Sequence, residues 1–324
     1  MSAAAASPSR PAKVVAVVGA TASGKTHLSL DLAEALGGEI INTDAMQVYR
    51  GMDVGTAKVD MSERRGIAHH LLDVMEVTEA GSVADFQRIA RATIEGLRSR
   101  ETTPVLVGGS ALYTRAVLDR FEFPGTDPEV RRRLTSELDV VGPSTLHHRL
   151  AELDPPAAEG ILPSNGRRIV RALEVIEVSG RPFSSTLPRW EYAVPGVVQI
   201  GVDIDREALH ERIAERVDLM FESGFVEEVR SLLGSGLRDS PTASRAIGYR
   251  EVMELVDGRI TEAEARERTT VATRRFARKQ DSWFRKDPRV TWLHWSDPEL
   301  VAKAVRVVEH GKFDQPAGER DRTD

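Results

Sequence analysis

Apolar and polar positions alternate between two periods along this chain. Short apolar runs rich in β-branched residues, readable as buried strands, fall at residues 14–18, 39–43, 104–107, 197–202 and 290–295, with a shorter one at 69–74. Between them the spacing turns helical, over residues 28–36, 83–97, 111–118, 206–222, 226–233, 244–256, 262–285 and 298–308. Strand and helix in alternation predict an α/β fold, a parallel sheet covered by helices on both faces. The pattern changes at about Phe121 and changes back at Pro195. Within that stretch prolines become frequent, strands vanish, and helical spacing appears at 127–138, 144–153 and 165–178. It predicts a mostly helical insertion, residues 121–195, in a core domain made of 13–120 and 196–309. The two ends, 1–12 and 310–324, are polar or Ala/Ser/Pro-rich and predict disorder.

Composition narrows the picture. The chain has 324 residues, 41% hydrophobic and 29% charged, enough for a sizeable core in a soluble protein. It has no cysteine, which removes disulfides and cysteine zinc sites and suits a reducing cytoplasm. Residues 1–10 lack the apolar stretch of a signal peptide, and no run approaches the ~18 apolar residues of a membrane span. The net charge is −6, so any nucleic-acid site must be a local basic patch.

One motif carries specific chemistry. Gly19-Ala20-Thr21-Ala22-Ser23-Gly24-Lys25-Thr26 fits the phosphate-binding loop G-x-x-x-x-G-K-[ST], and it lies between a predicted strand and a predicted helix. Backbone N–H groups and the helix N-terminus favour an anion, Lys25 adds a full charge, and the Thr26 hydroxyl suits magnesium. The fold expected is therefore like that of P-loop NTPases, with the site at the carboxyl ends of the strands. Asp44 ends the second strand there, as a general base, a magnesium ligand through water, or a helix N-cap. The turn Gly108-Gly109-Ser110 ends another strand. It reads either as turn chemistry with Ser110 as N-cap or as further donors toward the same phosphate. His69 and His70 are adjacent on a strand and point to opposite faces, which favours structural roles over a shared metal. Two basic clusters interrupt the acidic chain: Arg167, Arg168 and Arg171, and a run from Arg274 through Arg278 and Lys279 to Lys286 with Phe276, Trp283 and Phe284 interleaved. Each reads as a solvated helix face or as contacts to a polyanion.

These segments together resemble the tRNA dimethylallyltransferases over residues 14–295. The carriers are the loop at 21–26, Asp44 through Lys58, His69-His70-Leu71-Leu72-Asp73, Val107-Gly108-Gly109, Arg171-Ala172-Leu173-Glu174, Ala246-Ile247-Gly248-Tyr249-Arg250-Glu251, and Ala272-Thr273-Arg274-Arg275 with Arg278-Lys279-Gln280 and Trp283. The resemblance implies transfer of a dimethylallyl group from dimethylallyl diphosphate to N6 of the adenosine 3′ to the anticodon (position 37), in tRNAs reading codons that begin with U. It implies that residues 19–26 and Ser110 hold the diphosphate with magnesium at Thr26, and that Asp44 is the base, with Lys25 and Thr26 in the catalytic set. It also implies tRNA contacts at Asp44, Ala45, Met46, Gln47 and Ser110, at Arg131, Arg167, Arg168, Ile169, Val170 and Arg171 in the insertion, and at Arg278. The enzyme would be cytoplasmic and monomeric. Ala20 and Ser110 depart from the family's usual Pro and Thr, Ala111 or its neighbour replaces an expected glycine, and the lack of cysteine matches the bacterial type. An adenylate isopentenyltransferase, a P-loop small-molecule kinase and a non-catalytic RNA-binding switch are the competing readings.

Overall fold

The computed structural model describes residues 12–186 and 190–311, so the disorder expected at 1–12 and 310–324 lies outside the described residues except at 12, 310 and 311, and His310 still ends a helix. Six strands form one parallel sheet: β1 (Val14–Val18), β2 (Gly38–Asn42), β3 (His69–His70), β4 (Thr103–Val107), β5 (Val197–Asp203) and β6 (Val290–His294), in the order β3-β2-β4-β1-β5-β6. β1 is fully buried on both faces, which is why it reads as an unbroken β-branched run. In register, Ala16 pairs with Leu106 on one side and Gln199 on the other.

The chain divides into two compact units, Met1–Leu118 with Val194–Asp324, and Asp119–Ala193. In the first, helices α1 (Lys25–Leu36), α2 (Val83–Ser99) and α3 (Ala111–Leu118) precede the second unit in sequence. Helices α7 (Arg206–Glu222), α8 (Phe225–Gly234), α9 (Tyr249–Val256), α10 (Glu262–Phe284) and α11 (Leu300–His310) follow it. Leu28 and Leu32 of α1 pack with Val15, Val17, Ile200 and Val307 in one apolar cluster. Residues 244–256 do not form the single helix expected. Ala243–Arg245 make one 3-10 turn, and α9 starts only after Gly248, which has φ 89° and packs against the Phe225 ring. The Glu251 carboxylate accepts the Gly248 N–H at 2.9 Å and caps the helix.

The second unit holds α4 (Pro128–Leu153), α5 (Pro155–Glu159) and α6 (Gly166–Ser179). α4 is two helices joined at Gly142, whose φ of 78° breaks the turn just before Pro143. Leu134, Leu146, Leu150, Ile169 and Leu173 make its own core. The fully buried Glu174 carboxylate accepts from Asp127 N–H at 3.1 Å, from Arg131 at 2.7 Å and from Arg171 at 3.1 Å.

Candidate active site

The phosphate loop leaves β1 through Gly19, at φ 140°. A Cβ there would lie 3.0 Å from the Val202 carbonyl, so only glycine fits. The loop enters α1 through Gly24 at φ 100°. Lys25 is buried, and its ammonium donates to the Ala20 carbonyl. Burial first, and then the positive charge of Arg216, bring its pKa down to about 7, with Asp44 acting the other way. Arg216, on α7, is half-buried, and desolvation with the nearby Arg212 lowers its pKa. Its guanidinium lies 3.4 Å from the Thr21 hydroxyl.

Asp44 follows β2 after Thr43, whose N–H donates to Val107 O at 2.8 Å. The Asp44 N–H donates to Asn42 Oδ1, and its own Oδ1 accepts from Met46 N–H, both at 2.8 Å. This is an Asx turn in a loop and no helix starts at it, so the N-cap reading of Asp44 falls. The loop that continues to Lys58 is held from outside by Glu228. That carboxylate accepts the N–H groups of Asp53, Val54 and Gly55 at 2.9, 2.6 and 3.1 Å and the Tyr249 hydroxyl at 2.6 Å. Burial and the Glu228 charge push the Tyr249 phenol far above its ordinary pKa, so it remains a donor.

Two cavities of the first unit meet at Asp44. One is lined by Thr21, Lys25, Thr26, Gln47, Gly108 and Gly109. The other is lined by Ala45, Met46, Ser110, Met220, Ala246 and Ile247 and is mostly apolar. Thr21, Asp44, Thr56, Arg216 and Phe276 line both. The break before α9 is what puts Ala246 and Ile247 on this wall.

Not every predicted residue reaches these cavities. Ala20 and Ala22 pack with Leu209, Ile213 and Ala277. Ser23 is fully buried, and with Gly24 it lines a separate recess beside Arg212 and Trp295. Apart from Lys25, Thr21 and Thr26, the loop residues do not line these two cavities. Ser110 meets the turn reading, its hydroxyl accepting from Tyr113 N–H at 3.5 Å at the start of α3; it lines the apolar cavity and not the one beside Lys25, so this geometry does not support it as a donor toward the phosphate. Gln47 falls on the Lys25 side, its amide donating to Thr56 O at 3.1 Å. His69 Nδ1 lies 2.9 Å from Ile67 O and His70 Nε2 lies 2.6 Å from Glu39, so each has its own partner.

In the second unit, Ile169 and Val170 are corrected as candidate RNA contacts. Their side chains are buried in that unit's core, as the apolar stripe of α6 requires. Arg131 and Arg171 are engaged by Glu174, and Arg171 also donates to Pro124 O at 2.8 Å. Arg167 and Arg168 are exposed. On α10, Arg278 is exposed, whereas Arg285 pairs with Asp203 and Asp281 and stacks on Trp292. Phe284 is buried and so is not free surface for stacking, whereas Phe276 lines both cavities and remains exposed.

Arg216, Thr56 and Gln280 complete the site; Thr56 and Gln280 fell within the segments that carry the resemblance but were given no role, and Arg216 was not singled out. Arg212 and Arg216 sit four apart on a helix dense in Glu and Arg, which reads as a solvated face until the fold buries one side of it.

Residues 47–287 match the family model described as IPP transferase. The chain belongs to that family. It is 67% identical over 295 residues to a tRNA dimethylallyltransferase of a Nocardioides species, covering 91% of this chain and 95% of the relative. It is 58% identical to the tRNA dimethylallyltransferase of Thermobifida fusca, over 92% of this chain and 95% of that one. Among solved structures, the full-length tRNA isopentenylpyrophosphate transferase of Bacillus halodurans superposes with a TM-score of 0.66 at 40% identity, covering 91% of this chain and 94% of that one. A eukaryotic dimethylallyltransferase acting on tRNA superposes at 0.78 with 25% identity, over 91% and 78% of the two chains.

Proposed function

We propose that this IPP transferase family member is a tRNA dimethylallyltransferase, moving a dimethylallyl group from dimethylallyl diphosphate to N6 of the adenosine at position 37, in tRNAs reading codons that begin with U. The observation that carries the reading is Asp44 on the shared wall of two cavities, one lined by cations and hydroxyls and the other apolar. Diphosphate suits the first, with Lys25 and Arg216 facing its charge. An unstacked adenine suits the second, as enzymes that modify a base take it out of the stack.

The exocyclic amine is a weak nucleophile because its lone pair is delocalised into the ring. As its nitrogen bonds the allylic carbon, the carbon–oxygen bond breaks and the electron pair leaves with diphosphate. Lys25 and Arg216 stabilise that developing charge in a site shielded from water. The Asp44 carboxylate takes the amine proton during or after attack. The Asx turn holds Asp44 through one oxygen and leaves Oδ2 for this task. The Thr26 hydroxyl is a hard oxygen donor on this cavity and would hold magnesium together with diphosphate oxygens, leaving Asp44 to the proton. Magnesium bound there would add positive charge to the leaving group.

Among the described residues no helix is long and apolar enough to cross a membrane. A tRNA substrate puts the reaction in the cytoplasm, and we take the working form to be a monomer. The deciding experiment is incubation with labelled dimethylallyl diphosphate and either unmodified tRNA or adenosine monophosphate, with and without chelator. Label should enter tRNA alone and only with magnesium. Entry into the mononucleotide would move the assignment to an adenylate isopentenyltransferase, and ATP consumption without prenyl transfer would move it to a kinase.

A further inference from the structure

We infer that Gln280 is a positioning residue that sets the distance between the leaving-group loop and the base Asp44. Its side-chain amide is buried on the inner face of α10 and bridges two backbone segments. Oε1 accepts the Thr21 N–H at 2.8 Å, and Nε2 donates to Gly109 O at 2.8 Å. Thr21 belongs to the phosphate loop, and its hydroxyl receives Arg216. A Cβ on Gly109 would lie 2.1 Å from Gln280 Nε2, so the amide occupies the space a side chain would need. The chain of contacts continues through Gly108, where a Cβ would lie 2.3 Å from Thr43 Oγ1, and Thr43 precedes Asp44. Loop, amide, glycine pair and Thr43 thus form one close-packed line from the diphosphate side to the base.

A primary amide satisfies both ends of this bridge at neutral pH, since it donates and accepts at once. An ionised carboxylate would oppose the Gly109 carbonyl, and a methionine would leave the Thr21 N–H and Gly109 O unpaired in a buried place. The same helix carries Phe276 into the cavities and turns Arg278 outward, so the bridge also ties the loop to the basic helix. Nothing in the bridge touches a reacting atom; its effect is on alignment. Misplacement of reacting groups by about 1 Å costs on the order of 10²-fold in rate.

The inference rests on the reading that the loop holds diphosphate, and the test separates the two. Calorimetry with inorganic diphosphate and magnesium, and steady-state transfer to tRNA, are measured on the full chain for wild type, Gln280→Met, Gln280→Glu, Gln280→Ala, Gly109→Ala and Gly109→Ala/Gln280→Ala, each checked for folding by thermal unfolding. Gln280→Met should lower kcat by about 10²-fold with tRNA KM unchanged. Gly109→Ala should do similar damage by displacing the amide, and the double variant should be no worse than either single one. Gln280→Glu separates alignment from mere packing. A protonated carboxyl can again donate to Gly109 O, so its kcat relative to Gln280→Met should rise as pH falls from 8 to 6. Wild-type kcat in a folded Gln280→Met, or a Gln280→Glu that tracks Gln280→Met at every pH, would overturn the inference while the diphosphate reading stands. A wild type that transfers no prenyl group and binds no diphosphate would overturn both.

Discussion

A buried lysine next to a half-buried arginine is unstable company unless an anion joins them. Lys25 titrates near 7 in the free protein because burial and Arg216 disfavour its charge. Diphosphate favours the charged form, so donor binding should take up a proton. Above pH 7 the free enzyme must be protonated before or as it binds, so donor KM should rise with pH from 7 to 9, by at most about tenfold per unit. Lys25→Met should bind donor weakly and lose this pH dependence. Calorimetry in buffers of different ionisation enthalpy measures the proton uptake directly, and none at pH 8 would contradict the assignment. The sign for folding follows the same logic. Between about 7 and lysine's ordinary value of 10.5 the unfolded chain holds more protons at this residue, so Lys25's contribution makes the ligand-free protein more stable as pH rises across that window. Asp44→Asn should lower kcat by about 10²-fold or more and leave tRNA affinity unchanged, and single-turnover kinetics with a filter-binding assay check both. Lys25 and Asp44 were legible in the sequence because each sits at a strand end or in a motif whose backbone geometry is local. Arg216 and Gln280 were not, because what makes them part of the site is burial of a polar side chain on a long helix, which is decided by tertiary packing.

At the scale of elements, the second unit is organised around a single carboxylate. Glu174 is completely buried and collects the Asp127 N–H, Arg131 and Arg171, so α4, α6 and the segment at Pro124 and Gly125 all meet there. Glu174→Ala leaves both guanidiniums and a buried N–H without that partner. It should destabilise this unit by about 1–3 kcal/mol. Hydrogen exchange should then be faster at amides between 127 and 179 and unchanged in β1, β4 and β5. Uniform loss of protection across the sheet would show that the two units unfold as one. The same network means that Arg171→Ala changes the fold of the unit together with any RNA contact. Helix limits were read well where the apolar stripe is continuous: residues 206–222 were expected and found, and 262–285 differs from α10 by one residue. Residues 244–256 were read as one helix because Ala246 and Ile247 keep the spacing. The break comes from Gly248 packing under Phe225, a contact between residues 23 positions apart in the chain that no local pattern records.

For the whole molecule the question is how a chain of net charge −6 binds a polyanion. Many of its arginines are already paired with carboxylates, as Arg131, Arg171 and Arg285 illustrate. Arg167 and Arg168 on α6 and Arg278 on α10 are exposed in surroundings where the two basic clusters were visible from sequence. The sequence could mark the clusters but could not sort solvent-facing heads from those holding the fold together. Lysine and arginine contacts to phosphate release counterions, so affinity for an anticodon stem-loop should fall steeply with salt. Each contacting charge removed should weaken binding and reduce the slope of log K against log salt by about 1 or less. Arg167→Ala, Arg168→Ala and Arg278→Ala should each do this without changing donor KM, and the triple variant should approach the sum of the three if the sites act independently. A charge pair such as Arg285 with Asp203 supplies the control, because Arg285→Ala removes a positive charge that is already balanced and should leave the salt slope unchanged. Filter-binding titrations at several salt concentrations measure every case. Equal slopes for wild type and the triple variant would return both clusters to solvated helix faces and move the RNA contacts elsewhere on the molecule.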